Sequence, residues 1–175
     1  DIRIVKSWAD SNELKKYLDN KNCNLGASGS GNFAMFAGVF IAHEIENSNI
    51  PESLIQDWFQ YHNSSSNHNT GFWGNKFFYQ YSNAYHQYEI YDFYDEPIPY
   101  FKRAVDQILQ IQGQYGNFSP GLSGGYGSCW NYDAAKILYM SLKKYDYRSD
   151  EIYNSFSKLY RYTLLTQQRD FGFSS

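Results

Sequence analysis

Hydrophobic residues in this 175-residue chain recur with a helical period, in two alternating ways. Segments near 32–47, 83–94 and 132–144 are apolar around most of their circumference. Phe33, Met35, Phe36, Val39, Phe40, Ile41 and Ile45 point in nearly every direction around the first. Ala134, Ala135, Ile137, Leu138, Met140 and Leu142 do so around the third. Segments near 51–62, 97–113 and 150–167 each carry a single apolar stripe. In the second of these, Phe101, Val105, Ile108 and Leu109 share a face while Lys102, Arg103 and Asp106 point away. A helix apolar all round is a buried helix, and a helix with one stripe covers a core from outside. A further stripe, Leu14, Tyr17 and Leu18, marks a first helix over roughly 9–20 with Ser7 or Asp10 as cap. The pattern predicts a single all-α domain of about seven helices, inner apolar ones alternating with outer amphipathic ones.

The segment 77–95 fits two patterns. Its alternation at Tyr79, Tyr81 and Tyr85 reads as strand, whereas Tyr85, Tyr88 and Tyr91 fit a helix starting at Asn83, and the helix is preferred. Pro51, and then Pro97 with Pro99, open the helices that follow them. Loops entering the inner helices (26–32, 71–83 and 116–133) are long and glycine-rich, and those leaving them are short. If inner helices run down and outer helices return, the long loops share one end of the fold, which makes that end the functional one. Inner-helix N-termini would point free N–H groups there, favouring anionic or hydroxyl-rich ligands.

The net charge of −3 and the absence of a Lys/Arg cluster argue against a nucleic-acid surface. The apolar run 33–45 falls short of the roughly 20 residues that span a bilayer, so no membrane span is expected. No signal peptide is visible, and the chain starts at Asp1 rather than Met, as a processed form or a fragment does. Cys23 and Cys129 can pair, but two cysteines do not make a disulfide framework, and the compartment stays open.

Glycine beside an aromatic follows each amphipathic helix: Gly71-Phe72-Trp73, Gly116-Asn117-Phe118 and Gly172-Phe173. The last two copies extend further, with Leu109-x-x-Gln112 six residues before Phe118 and Leu164-x-x-Gln167 six before Phe173. Self-similarity at this spacing points to stacked helical hairpins. The Gln-x4-[Gly/Asn]-Phe pattern resembles the repeat of the α/α-toroid families, namely protein prenyltransferase β-subunits and squalene-cyclase-type terpenoid cyclases. The resemblance covers about 70–173, with a degenerate copy at 51–74. It implies glutamines at the ends of outer helices, each followed by a glycine-aromatic turn. The chain departs from those families in lacking an Asp-x-Asp-Asp acid and an Asp-x-Cys zinc motif, since Cys129 precedes Asp133 in the wrong order. A closed toroid needs about six hairpins and three are counted, so an open ring, part of a larger chain or an oligomer is expected. Polysaccharide lyases and glycoside hydrolases of the α/α-barrel kind share the layering without a common motif.

Candidate chemistry gathers at the long-loop end. His86 and Glu89 lie three apart on one helical face, where a carboxylate can orient and tune an imidazole, and Asp133 is a second acid. Asn83 and Asn131 can bind hydroxyls, and sugar rings can stack on Trp73, Phe118, Tyr126 and Trp130. Each has a plainer reading. His86–Glu89 is then a core hydrogen bond, Asn131 and Asp133 belong to a helix start, and the aromatics pack hairpins together. His43-x-x-Glu46 repeats the spacing of His86-x-x-Glu89 in the reverse order of a di-metal motif, and no metal or other cofactor is expected. The glycines of 121–127 lack the Lys-Ser/Thr of a phosphate loop. The expected function is a carbohydrate-active lyase or hydrolase taking a small-molecule or oligosaccharide ligand. The alternatives are an isoprenoid-processing enzyme and a helical-repeat binding module without chemistry.

Overall fold

A computed structural model describes residues 10–74, 77–118 and 128–166. Among these the chain forms seven α-helices and no strand, apart from an isolated bridge between Ser66 and Trp73. The all-α expectation and its helix number hold. The chain divides into two compact units, Asp1–Tyr100 and Phe101–Ser175.

The first unit contains α1 (Ser11–Asn20), α2 (Ser30–Glu46), α3 (Ser53–Ser65) and α4 (Phe77–Phe93). Asp10 caps α1, its carboxylate accepting from the N–H groups of Asn12 and Glu13 at 2.9 and 3.0 Å. α2 differs from its expectation as a helix buried all round. Ala34, Ala37, Gly38 and Ile41 are buried, whereas Phe33, Phe36 and Val39 are 38, 46 and 48% exposed. The small residues turn inward because α4 lies too close for anything larger. A methyl on Gly31 would strike the Asn83 backbone, and one on Gly38 would meet the Ile90 side chain at 2.8 Å. Both contacts advance together along the two helices, so α2 and α4 run parallel. α3 runs the other way. Its Phe59 packs on Tyr94, while Asn63, one turn on, takes the hydroxyl of Tyr91 at 2.7 Å. α1 runs with α3: Ser11 hydrogen-bonds Asp57, and Tyr61 donates to Asp19 at 2.9 Å. Two parallel pairs, α1 with α3 and α2 with α4, thus form two layers within this unit.

Between the layers lies an aromatic core of Trp58, Phe59, Phe72, Trp73, Tyr88 and Tyr91. Each polar tip is paired. Trp58 donates to the Ala34 carbonyl at 2.9 Å, Trp73 to that of His62 at 2.8 Å and Tyr88 to that of Gly71 at 2.6 Å. Such pairing lets large amphipathic rings be buried without leaving a donor unsatisfied.

α4 begins at Phe77, six residues before the expected start at Asn83. The strand-like alternation there is helical, because Tyr81, Ala84, Tyr88 and Tyr91 all find the core at helical spacing. Asn83, His86 and Glu89 therefore sit inside the helix and not at its first turn, beyond the reach of its free N–H groups. The two long loops of this unit do share an end. Gly26 and Gly74 both take positive φ, +59° and +80°, and press backbone to backbone. A side chain on Gly74 would collide with the Leu25 carbonyl, and one on Gly26 with that of Trp73. Asn83 fastens the same place, accepting from the Gly31 N–H at 3.2 Å and donating to the carbonyls of Gly26 and Ala27 at 3.3 and 3.0 Å.

The second unit contains α5 (Phe101–Ile111), α6 (Ser128–Met140) and α7 (Ser149–Leu165). α5 starts after Pro97 and Pro99 rather than at them, and α6 starts four residues before Tyr132. Val105 and Ile108 of α5, Ile137 and Leu138 of α6 and Ile152 of α7 form its core. α6 runs on into a π-helical turn, Ser141–Tyr145, after which Asp146 and Arg148 take positive φ. Asp106 holds this turn, accepting from Arg148 at 2.9 Å and from the Tyr147 hydroxyl at 3.0 Å. Gln112, just past the end of α5, donates to the carbonyls of Gly116 and Ser155 at 2.8 and 2.9 Å. It thereby ties the glycine-aromatic turn to α7. Gly116 touches the Lys158 carbonyl so closely that no side chain fits there.

The Gly26–Gly74 contact sets a measurable contrast. Gly74→Ala is expected to cost about 3 kcal/mol or more, because backbone must move and φ is left-handed. Gly29→Ala, also at positive φ but with open space around it, should cost about 1 kcal/mol in the same urea titration.

Candidate functional site

Of the sequence-derived candidates, His86 and Glu89 lie together on an open face. Along α4, Tyr88 and Tyr91 turn toward α3 and the 71–74 turn. His86, Glu89 and Phe93, spaced i, i+3 and i+7, occupy the opposite side of the helix. There a groove of about 340 Å³ opens between α2 and α4. Its apolar part is Met35, Val39, Ala42, Ile90 and Phe93, and its ionisable side chains are His43, Glu46 and Glu89. The groove exists because Gly38 and Ala42 keep that side of α2 low while Val39 and Phe93 stand out from the two helices.

His86 is half-buried, with its ring beside Tyr85 at 4.9 Å, and its Nδ1 is buried without a hydrogen-bond partner. Burial lowers its pKa, and the charge of Glu89 offsets part of that. The imidazole is therefore neutral at neutral pH, with a nitrogen uncommitted. His43 and Glu46 are exposed. Among the described residues no group of three or more His, Cys, Asp or Glu side chains is placed to hold a metal ion.

The other candidates are placed elsewhere. Asn83 has both amide N–H groups and one lone pair engaged by the loop at 26–31. Trp73 is buried in the aromatic core, 5.6 Å from His62 and stacked at 6.3 Å on Tyr91. In the second unit Phe118 is buried, and its N–H is held at 2.8 Å by the Asn131 side chain. Asp133 is buried on α6 and Trp130 is partly exposed. Tyr126 and the glycines at 121–127 lie outside the described residues.

Both cysteines are free. Cys23 is buried, with its Sγ 3.5 Å from the Ser30 carbonyl. Burial, then the charge of Asp19, pushes its thiol pKa up to about 12, so it is inert as a nucleophile. Cys129 is exposed. No described helix is long and apolar enough to cross a membrane.

His62 is the titratable group that sequence reading passed over. It is fully buried, lies on Trp58 at 3.9 Å between ring centroids, and meets Trp73 edge-on. The 2.8 Å contact of Nδ1 with the Trp58 carbonyl makes that nitrogen the protonated one, and Nε2 has no partner. Desolvation lowers its pKa to about 3. The only sequence signal was its place on the apolar stripe of α3, four residues after Trp58.

Comparison with protein-family models, with curated protein sequences and with solved structures finds no match to this chain.

The buried His62 makes stability depend on pH. Its folded pKa lies below the unfolded value of 6.5, so the unfolded chain binds the extra proton, and stability is lost as pH falls from about 6.5 toward 3. Between pH 7 and pH 5 this group alone is expected to remove about 2 kcal/mol. In urea titrations at the two pH values, His62→Phe should lose that much less than the unsubstituted protein.

Proposed function

We propose that this protein is a helical-repeat binding module of the α/α-toroid kind, and that its ligand occupies the groove between α2 and α4. The parallel pairing of α1 with α3 and of α2 with α4 supports such layering, as does the hold of Gln112 on the turn after α5. One observation carries the reading. The amides chosen for sugar contacts, Asn83 and Asn131, are engaged by loop backbone, at 26–31 and at Phe118, and the aromatics Trp73 and Phe118 are buried in cores. The groove between α2 and α4 is apolar and edged by Glu46 and Glu89. A sugar requires a dense array of hydrogen-bonding groups, whereas this lining suits an apolar surface bearing cations.

The second reading is the carbohydrate lyase or hydrolase, favoured by the uncommitted Nδ1 of neutral His86 beside Glu89. A neutral imidazole next to a carboxylate is the arrangement of a general base.

The two readings separate in one pair of assays. The module reading expects an amphipathic helical peptide of Leu and Lys to bind at micromolar concentration, and Val39→Lys to weaken it at least tenfold. It also expects no turnover across a panel of neutral and acidic oligosaccharides. Turnover that falls about a hundredfold or more in His86→Ala would overturn it in favour of the enzyme.

A further inference from the structure

Net charge conceals a division within the chain. From Asn22 to Phe101 there are eight carboxylates and a single cation, Lys76. From Lys102 to the last residue there are nine Lys and Arg against six Asp and Glu. The acidic stretch builds the α2–α4 groove, and the basic stretch includes α7. After Glu151, α7 has no carboxylate but presents Lys158 and Arg161, both exposed. It also shows Tyr153, Tyr160 and Leu164, which are 61, 65 and 47% exposed. These three are spaced seven and four apart and so form one stripe. Large apolar side chains exposed in such a row mark a surface that another molecule covers.

The two surfaces match in shape, polarity and sign. Two parallel helices brought together by Gly31 and Gly38 leave a furrow toward their C-terminal ends, from Met35 to Glu46 on α2 and from Glu89 to Phe93 on α4, into which a third helix can set its ridge of side chains. α2 and α7 are each 17 residues, about 25 Å long. Val39 and Phe93 would pack against Tyr160 and Leu164, with Arg161, on the flank of that stripe, opposite Glu46 and Glu89. From this complementarity we propose that the groove of one molecule takes α7 of a second copy, head to tail. The proposal rests on reading the groove as a binding site and names its occupant. Groove and helix are different surfaces, so the contact is heterologous, and each molecule keeps one free groove and one free α7. Association then grows with concentration into a chain of molecules or a closed ring. Apolar packing supplies the attraction, and the charges supply direction and sensitivity to salt.

Sedimentation of the full chain tests this with two substitutions at exposed positions, Val39→Lys in the groove and Tyr160→Glu on α7. The unsubstituted protein is expected to exceed the mass of one chain at tens of micromolar. Raising salt from about 0.05 to about 0.5 M should weaken the association at least tenfold. Each variant alone should be a monomer with unchanged helical circular dichroism. An equimolar mixture should give a one-to-one dimer and nothing larger, because only one competent groove and one competent α7 remain. Phe93→Lys with Leu164→Glu serves as an independent pair should either first variant fail to fold. An unsubstituted protein that stays monomeric at about 100 µM in low salt overturns the proposal, as does a mixture that yields no dimer. Tyr160→Glu associating as strongly as the parent also overturns it, and points to groove-to-groove pairing. Peptide binding and glycan turnover are separate readouts, so failure of the head-to-tail contact is told apart from failure of the groove reading on which it rests.

Discussion

The close parallel approach of α2 and α4 is the contact on which the first unit depends. Gly31 lies against the backbone of Asn83 and Gly38 against Ile90, and neither position has room for a side chain. Packing at that distance brings Ala34, Ala37 and Ile41 inward and sends Phe33, Phe36 and Val39 outward. The exposed aromatics of α2 are thus the counterpart of its glycines, since a helix that gives its small face to one neighbour must turn its large face elsewhere. The same approach places the Asn83 amide within reach of the Gly26 and Ala27 carbonyls, and leaves a furrow on the side away from α3.

Around this contact the core is aromatic yet polar at its tips. Indole and phenol groups of Trp58, Trp73, Tyr88 and Tyr91 all reach acceptors, three of them backbone carbonyls at turns or helix bodies. Each ring therefore fixes a segment of chain as well as filling space. His62 is the exception. It satisfies one nitrogen, leaves the other bare and stays neutral because charge would have to be buried among rings. His86 is a milder case of the same physics, half-buried, with the charge of Glu89 offsetting part of the effect of burial.

Much of the helical layout was legible beforehand. The 3.6-residue period marked seven helices, Asp10 stood where a cap was needed, and Gln112 was singled out by its spacing from Phe118. The site was legible only in part. His86 and Glu89 share a face because three residues along a helix always do. Asn83, Asn131, Trp73 and Phe118 looked equally available, but a residue list does not say which carbonyl an amide will find or which ring a turn will cover. His62 went unnoticed because a histidine on an apolar stripe gives no sign of how completely it is desolvated.

What the sequence determined by itself is local: helical periodicity, caps, breaks, and the glycine-aromatic register that follows α5. These depend on φ/ψ preference and side-chain spacing over a few residues, which the chain carries wherever it is placed. Tertiary structure alone decided which side of α2 is buried, how closely α2 and α4 approach, and that a groove edged by Glu46 and Glu89 opens between them. An apolar-all-round helix has no preferred inward face of its own. The face is chosen by the closest backbone approach available, and here the glycines at 31 and 38 permit that approach on one side only.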